Sequence, residues 1–391
     1  MQIETDRAAN SIGEALVKSA ATFGVTCLLN TALIANPPPP PNYSNFPEEK
    51  KKILGQFFTQ ENFWLCPQVR DFICNSGARV AYDPFAGDGN MLEDAQKAVP
   101  SLTEVKGLDI DASLGWEQND SLIKIPRVEG GIILTNPPYI SNYSARRKKI
   151  NGHLEKYFKL TDYDDLYLLA LDRMLEAQEY VVAIVPETFI NSSYRKKGRL
   201  SSITILESNP FSDTETPVVV LCFDGVDKYF EKIKVYKDAD YVCTLKDVED
   251  SRIKPSGSLK VKFNDRAGWL AVRCVDTTNP SDMIRFSYKE EIDYDWKNSI
   301  KHSSRLLTLI DVDVPEVRRA EFINKCNEIL GNLRKRSHDI ILSPFKGNMK
   351  NGVRRRRLDF LTCRAIIECA HNEIFSSDDK ELEKLKLLDT D

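Results

Sequence analysis

The 391-residue sequence lacks any run of about 18 consecutive apolar residues, which excludes a membrane-spanning helix. Its opening, MQIETDRAANSIGE, has no basic stretch leading into an apolar one. No secretory signal is therefore predicted, and a cytoplasmic setting of bacterial or phage type is expected. Histidine is scarce, at 4 residues, and none of the 9 cysteines belongs to a CxxC pair. That argues against a zinc cluster and for reduced thiols packed as core residues. No internal repeat or low-complexity tract is present. What remains is an ordinary globular mixture, 42% hydrophobic and 29% charged, long enough for two domains with cores of their own.

The net charge of −4 argues against a nucleic-acid partner when taken alone. Its distribution argues otherwise. Residues 331–364 hold ten basic and two acidic side chains, followed by an acidic tail over 365–391. A compact basic block attracts phosphate locally whatever the global charge.

Residues 1–45 read as a small-residue helical segment followed by a stiff spacer, NPPPPPN. From Arg79 onward, strand and helix alternate. RVAYDP (79–84), TEVKGLDID (103–111) and GGIILTNPPY (130–139) read as strands running into turns. YVVAIVP (180–186), SITILES (202–207) and PVVVLCF (217–223) are apolar runs of the kind buried on both faces of a sheet. Helices are expected over 90–99 and 164–179. This α/β alternation predicts a Rossmann-like, doubly wound and mostly parallel sheet. The last strand is expected to end near Phe223. A catalytic domain is placed over 46–228 and a second domain over 229–391.

Two strand ends carry chemistry. The turn DPFAGDGN contains Asp83, Phe85, Gly87 and Gly89. Its glycines permit close approach of backbone to a ligand, ahead of a helix N-terminus. Asp109 follows twenty residues after Gly89, where a carboxylate accepts hydrogen bonds from a ribose diol, so an adenosine-containing cofactor is expected. At the end of the 130–139 strand stands Asn136-Pro137-Pro138-Tyr139. The prolines fix the chain, so the Asn136 side chain and the Pro137 carbonyl can accept both hydrogens of an amine on a planar ring. Tyr139 offers a face for stacking, a role that needs the ring and not its hydroxyl.

The combination resembles the S-adenosylmethionine-dependent DNA N6-adenine methyltransferases, with their NPPY tetrapeptide, over about residues 50–225. The order of GQFFT (Gly55 to Thr59), glycine turn and NPPY is similar to the family's gamma arrangement, in a type II restriction-modification style. The resemblance implies a class I methyltransferase fold with a C-terminal target recognition domain, and S-adenosyl-L-methionine as cofactor. It further implies cofactor contacts from Phe57, Thr59 and Asp120, and stacking of a flipped adenine on Phe211 beside Tyr139. The aspartate in AGDG departs from the smaller residue commoner there and is expected to be tolerated at a turn.

Basic runs are expected to grip double-stranded DNA around the extruded base: Arg146, Arg147, Lys148 and Lys149; Arg195, Lys196 and Lys197; and Arg354, Arg355, Arg356 and Arg357. No metal is expected. A separately encoded restriction endonuclease is a possible partner, and the chain is expected to be a monomer or weak dimer. Competing readings are a protein glutamine methyltransferase, an RNA base methyltransferase and a degenerate DNA-binding module.

Overall fold

The computed structural model describes residues 63–147, 151–208 and 216–388. All of them fall in a unit running from Phe46 onward, and the segment expected over 1–45 lies outside them.

Helix α1 (Pro67–Asn75) begins with proline, which suits the first helical turn because its missing N–H has no partner there anyway. Then come β1 (Val80–Asp83), α2 (Asn90–Ala98), β2 (Glu104–Asp109), the short β3 (Glu117–Gln118) and β4 (Gly131–Thr135). Helices α3 (Asn142–Arg147), α4 (Asn151–Phe158) and α5 (Leu166–Ala177) follow, and then β5 (Val181–Pro186), β6 (Leu200–Ile205) and β7 (Val218–Phe223). These strands lie in the order β3-β2-β1-β4-β5-β7-β6. Strands β1 to β5 are mutually parallel, and β7 runs antiparallel between β5 and β6. The doubly wound, mostly parallel sheet expected from the sequence is present.

Alternation along each strand divides the core between the two faces. Ile132, Leu134, Val182, Ile184, Val218 and Val220 pack with Val69, Ile73, Met91 and Leu92 of α1 and α2. Ile133, Val181, Ala183, Val185, Val219 and Leu221 face Leu166, Leu169 and Met174 of α5. Each such side chain withdrawn from water contributes about 1.5–3 kcal/mol, so the sheet is a rigid platform for its turns.

The sheet does not stop at Phe223, where the continuous apolar pattern ends. Strands β8 (Lys234–Lys237) and β9 (Asp240–Thr244) extend it beyond β6. Exposed or half-exposed residues such as Lys234, Lys237, Asp240 and Tyr241 suit an edge, which has fewer apolar neighbours to cover. After α6 (Leu245–Asp250) the architecture changes. A four-stranded antiparallel sheet has the order β10-β13-β11-β12, formed by Val261–Phe263, Leu307–Val312, Leu270–Arg273 and Arg285–Tyr288 respectively. Helix α7 (Trp296–Ser299) precedes β13, and α8 (Arg319–Arg336) packs along β12. The hairpin of β14 (Ser343–Asn348) and β15 (Arg354–Arg357) leads into α9 (Phe360–Leu388). One hydrophobic cluster joins Tyr82 and Ile133 to Leu270, Ile310, Phe322 and Ile366, so the two architectures share a core.

Candidate active site

The chain turns outward from β1 to β2 and β3 and then crosses back to β4 on the other side of β1. In open α/β sheets, ligands bind at such a switch point, outside the carboxyl ends of the strands. Both motifs singled out in the sequence are located there, at the ends of β1 and β4.

Asp83 closes β1 and is buried. Its Oδ1 accepts hydrogen bonds from the Phe85 amide at 2.9 Å and from the Thr135 hydroxyl at 2.5 Å. Burial pushes its carboxyl up to about 7, against the lowering effect of those two donors. Gly87 and Gly89 both adopt left-handed backbone, at φ +52° and +82°, where a β-carbon would be strained. Gly89 caps α2 without a side-chain hydrogen bond. The Gly87 amide donates to Asp109 Oδ2 at 3.0 Å, and the Asp111 amide donates to Asp109 Oδ1 at 2.9 Å. Asp109, buried at the end of β2, therefore braces the turn itself and has its carboxyl raised by that burial. Each of its oxygens keeps a further lone pair for a ligand.

Trp116 belongs to no motif legible in the sequence. Its indole Nε1 donates to the Gly87 carbonyl at 2.8 Å. Its ring lies where β-carbons of Gly107 and Gly89 would be, 2.3 Å and 2.9 Å from the nearest ring atoms. Two glycines on different elements thus make room for one indole that holds the turn. A lone tryptophan gives no hint of this, because the signal is the pair of missing side chains opposite it.

Beyond Thr135, Asn136 is half-buried and Pro137 buried. The Tyr139 hydroxyl donates to the Ile184 carbonyl of β5 at 2.9 Å, and its ring meets Tyr167 edge-on at 6.5 Å. Burial raises this hydroxyl well above the ordinary tyrosine range, keeping it a neutral donor. The hydroxyl thus anchors the ring to β5, a structural part beside the stacking expected of its face. Asp120 is half-buried, and its Oδ2 accepts from Lys156 Nζ and the Tyr157 hydroxyl, both at 2.9 Å.

The basic runs divide sharply. Arg146 and Arg147 are exposed at the end of α3. Arg195 is exposed, pairs with Asp162 at 3.3 Å and covers the Tyr163 ring. Lys196 pairs with Asp172 at 2.8 Å. Lys197 is buried and donates to the carbonyls of Ile190 and Ser192, and burial lowers its ammonium to about 8. It is removed from the DNA-gripping set.

The arginine block needs the same correction. It forms β15, and alternation along that strand turns Arg354 and Arg356 inward, 7% and 1% exposed. Arg356 Nη1 pairs with the buried Glu187 carboxylate at 2.5 Å, just beyond β5. Arg354 Nη2 donates to the carbonyls of Leu206 and Glu207. Arg355 donates to the Asp276 and Lys346 carbonyls, and Arg357 is half-buried. Guanidinium groups buried against protein acceptors are not available to phosphates. Phe57, Thr59, Lys148, Lys149 and Phe211 lie outside the described residues. Among the described residues there is no group of side chains suited to a metal ion and no helix long and apolar enough to cross a membrane.

A family model described as the Eco57I restriction-modification methylase matches residues 110–213, which include Asp120 and the NPPY loop. A search of curated proteins found no match. Among solved structures, a Listeria monocytogenes protein assigned to the class I S-adenosylmethionine-dependent methyltransferases is 14% identical, with TM-score 0.34 over 46% of this chain and 66% of its own. The methyltransferase subunit of a type I restriction-modification system from Streptococcus thermophilus is 15% identical, with TM-score 0.33 over 50% of this chain and 53% of its own. The M protein of the type I restriction enzyme EcoKI is 13% identical, with TM-score 0.31 over 70% of this chain and 71% of its own. The chain thus spans about half to two thirds of the length of the first two, and likenesses this loose carry no argument about function.

Proposed function

We propose that the chain is an S-adenosylmethionine-dependent DNA methyltransferase that modifies the exocyclic N6 of an adenine flipped out of a duplex. The observation that carries this reading is the Asp83–Thr135 hydrogen bond. It draws the glycine turn of β1 and the NPPY loop of β4 to one place at the switch point of the sheet. The family match over residues 110–213 supports it.

The residues present fit the cofactor. At Gly87 no atom of the described residues lies within 4 Å of where a β-carbon would stand, so among them the turn leaves room for a ligand against its backbone. The N-terminus of α2 has no side-chain cap, and its amides suit a carboxylate. Asp109 would receive the ribose diol and Asp120 the adenine amine, with Asp83, Phe85, Gly87, Gly89 and Asn136 lining the pocket and Phe57 and Thr59 closing it. When bound, the cofactor supplies an electrophilic sulfonium methyl. The chain's own part is positioning: Asn136 and the Pro137 carbonyl hold the two amine hydrogens, Pro138 stiffens the loop, and Tyr139 and Phe211 take the faces of the base. No strong base is required, because the amine proton becomes acidic only as the methyl transfers. The region beyond the large sheet takes the part of target recognition, and Arg146, Arg147 and Arg195 face the DNA backbone.

Labelled methyl transfer to duplex DNA, RNA and protein in parallel tests the reading. Label is expected in N6-methyladenine of DNA alone. Label in glutamine or in RNA sinks it.

A further inference from the structure

Five cations around the second sheet carry their charge at the surface. Lys260 and Arg266 flank β10 and its turn, and Lys297, Lys301 and Arg305 lie along the segment leading to β13. All five are exposed, and among the described residues none forms an ion pair. Lys262, between the first two, is already neutralised by Asp311 at 2.8 Å and Asp265 at 3.7 Å.

The two segments form the walls of a shallow recess of about 670 Å³; of the five cations Arg266 and Lys301 line it, beside Asn264, Asn298 and His302 and one carboxylate, Asp265, which already faces Lys262. It is a fixed shape. Asn264, at φ +56°, donates from its side-chain amide to the carbonyls of His302 and Ser304 and accepts from the Thr308 hydroxyl. Beneath it Phe263 stacks on Phe360 at 4.5 Å. The Asn264 amide thus ties the two segments to each other.

We propose that this recess grips the phosphate backbone of duplex DNA, positioning it for the methyltransferase site. The proposal rests on the function proposed above and deepens it by assigning a DNA-holding surface. Free cations on both walls of an open recess suit a phosphate backbone lying across it more than a single small anion, which a closed pocket would hold. It also gives the chain a cationic surface outside the arginine block, whose charges are largely spent inside the protein.

The test is the variant Arg266→Gln/Lys301→Gln/Arg305→Gln. All three side chains are exposed, so folding should persist, and thermal melting checks this. Binding to a duplex of arbitrary sequence is measured between 50 and 200 mM salt, with calorimetric titration of S-adenosylhomocysteine alongside. DNA affinity at low salt is expected to fall at least tenfold. The slope of log K against log salt should shrink by about one unit for each phosphate no longer neutralised. Cofactor-analogue affinity should be unchanged. A second variant, Lys232→Gln/Lys234→Gln/Lys254→Gln, removes the same charge elsewhere and should stay within about twofold of wild type. An unchanged slope in the first variant, or equal losses in both, overturns the recess as the site and leaves the methyltransferase reading standing. Failure of the wild-type protein to bind duplex DNA overturns that reading itself, and the recess proposal with it.

Discussion

The Thr135 hydroxyl, last in β4, donates to the buried Asp83 carboxylate, last in the neighbouring β1. One hydrogen bond thus ties the end of the strand that enters the glycine turn to the end of the strand that enters the NPPY loop. Thr135→Val keeps the shape and deletes the donor. It should cost about 1–3 kcal/mol of stability and lower methyl transfer more than S-adenosylhomocysteine affinity. Denaturant titration and single-turnover rates check both. A variant with wild-type transfer rate would show the bond to be structural only.

The same carboxylate makes stability depend on pH. Its folded-state value, near 7, lies above the ordinary 3.8, so the protonated form favours folding. That contribution is complete below about pH 4 and is lost as pH rises through 7. Asp83→Asn still accepts from Phe85 and Thr135 but cannot ionise. Its stability relative to wild type should therefore rise between pH 5 and pH 8 in urea titrations. An equal difference at both pH values would contradict the assignment.

At the tetrapeptide, Asn136→Ala should leave S-adenosylhomocysteine binding intact and slow the transfer step by orders of magnitude, because positioning is lost. Tyr139→Phe retains the face but abandons the Ile184 carbonyl, which should cost about 1–3 kcal/mol of stability. Single-turnover methylation with cofactor affinity measured in parallel separates the two residues. Near wild-type transfer by Asn136→Ala would refute the mechanism.

Trp116 and Gly107 form a pair that a double-mutant cycle can expose. Gly107→Ala puts a methyl into the indole and should cost about 1–3 kcal/mol. Trp116→Ala releases the Gly87 carbonyl and should weaken S-adenosylhomocysteine binding about tenfold. In the double variant the clash is gone, so the two stability losses should be clearly less than additive. Strict additivity would show that the ring does not need the space.

The sequence made the large sheet legible because its strands are short apolar runs ended by glycine or proline turns; Val80–Asp83 and Val218–Phe223 fall inside the spans read for them. The strand-end positions of Asp83, Asp109 and Asn136 were legible because each closes or directly follows a run with the pattern of a strand. The antiparallel sheet was not, since its strands are short and its pairings distant in sequence, as for β10 with β13. Four identical arginines conceal which of them face inward. The recess cations are separated by some thirty residues and form no run at all.

Glu187 and Arg356 meet in the interior, 169 positions apart in the chain. Removing one member of such a pair strands a charge away from water, at about 3–5 kcal/mol. The C-terminal part therefore cannot be detached at residue 229 as an independent cassette. A chimera would have to carry this acid and this base together, or replace both with apolar residues of matching volume. In this architecture, changing the C-terminal part means redesigning a joint and not exchanging a part.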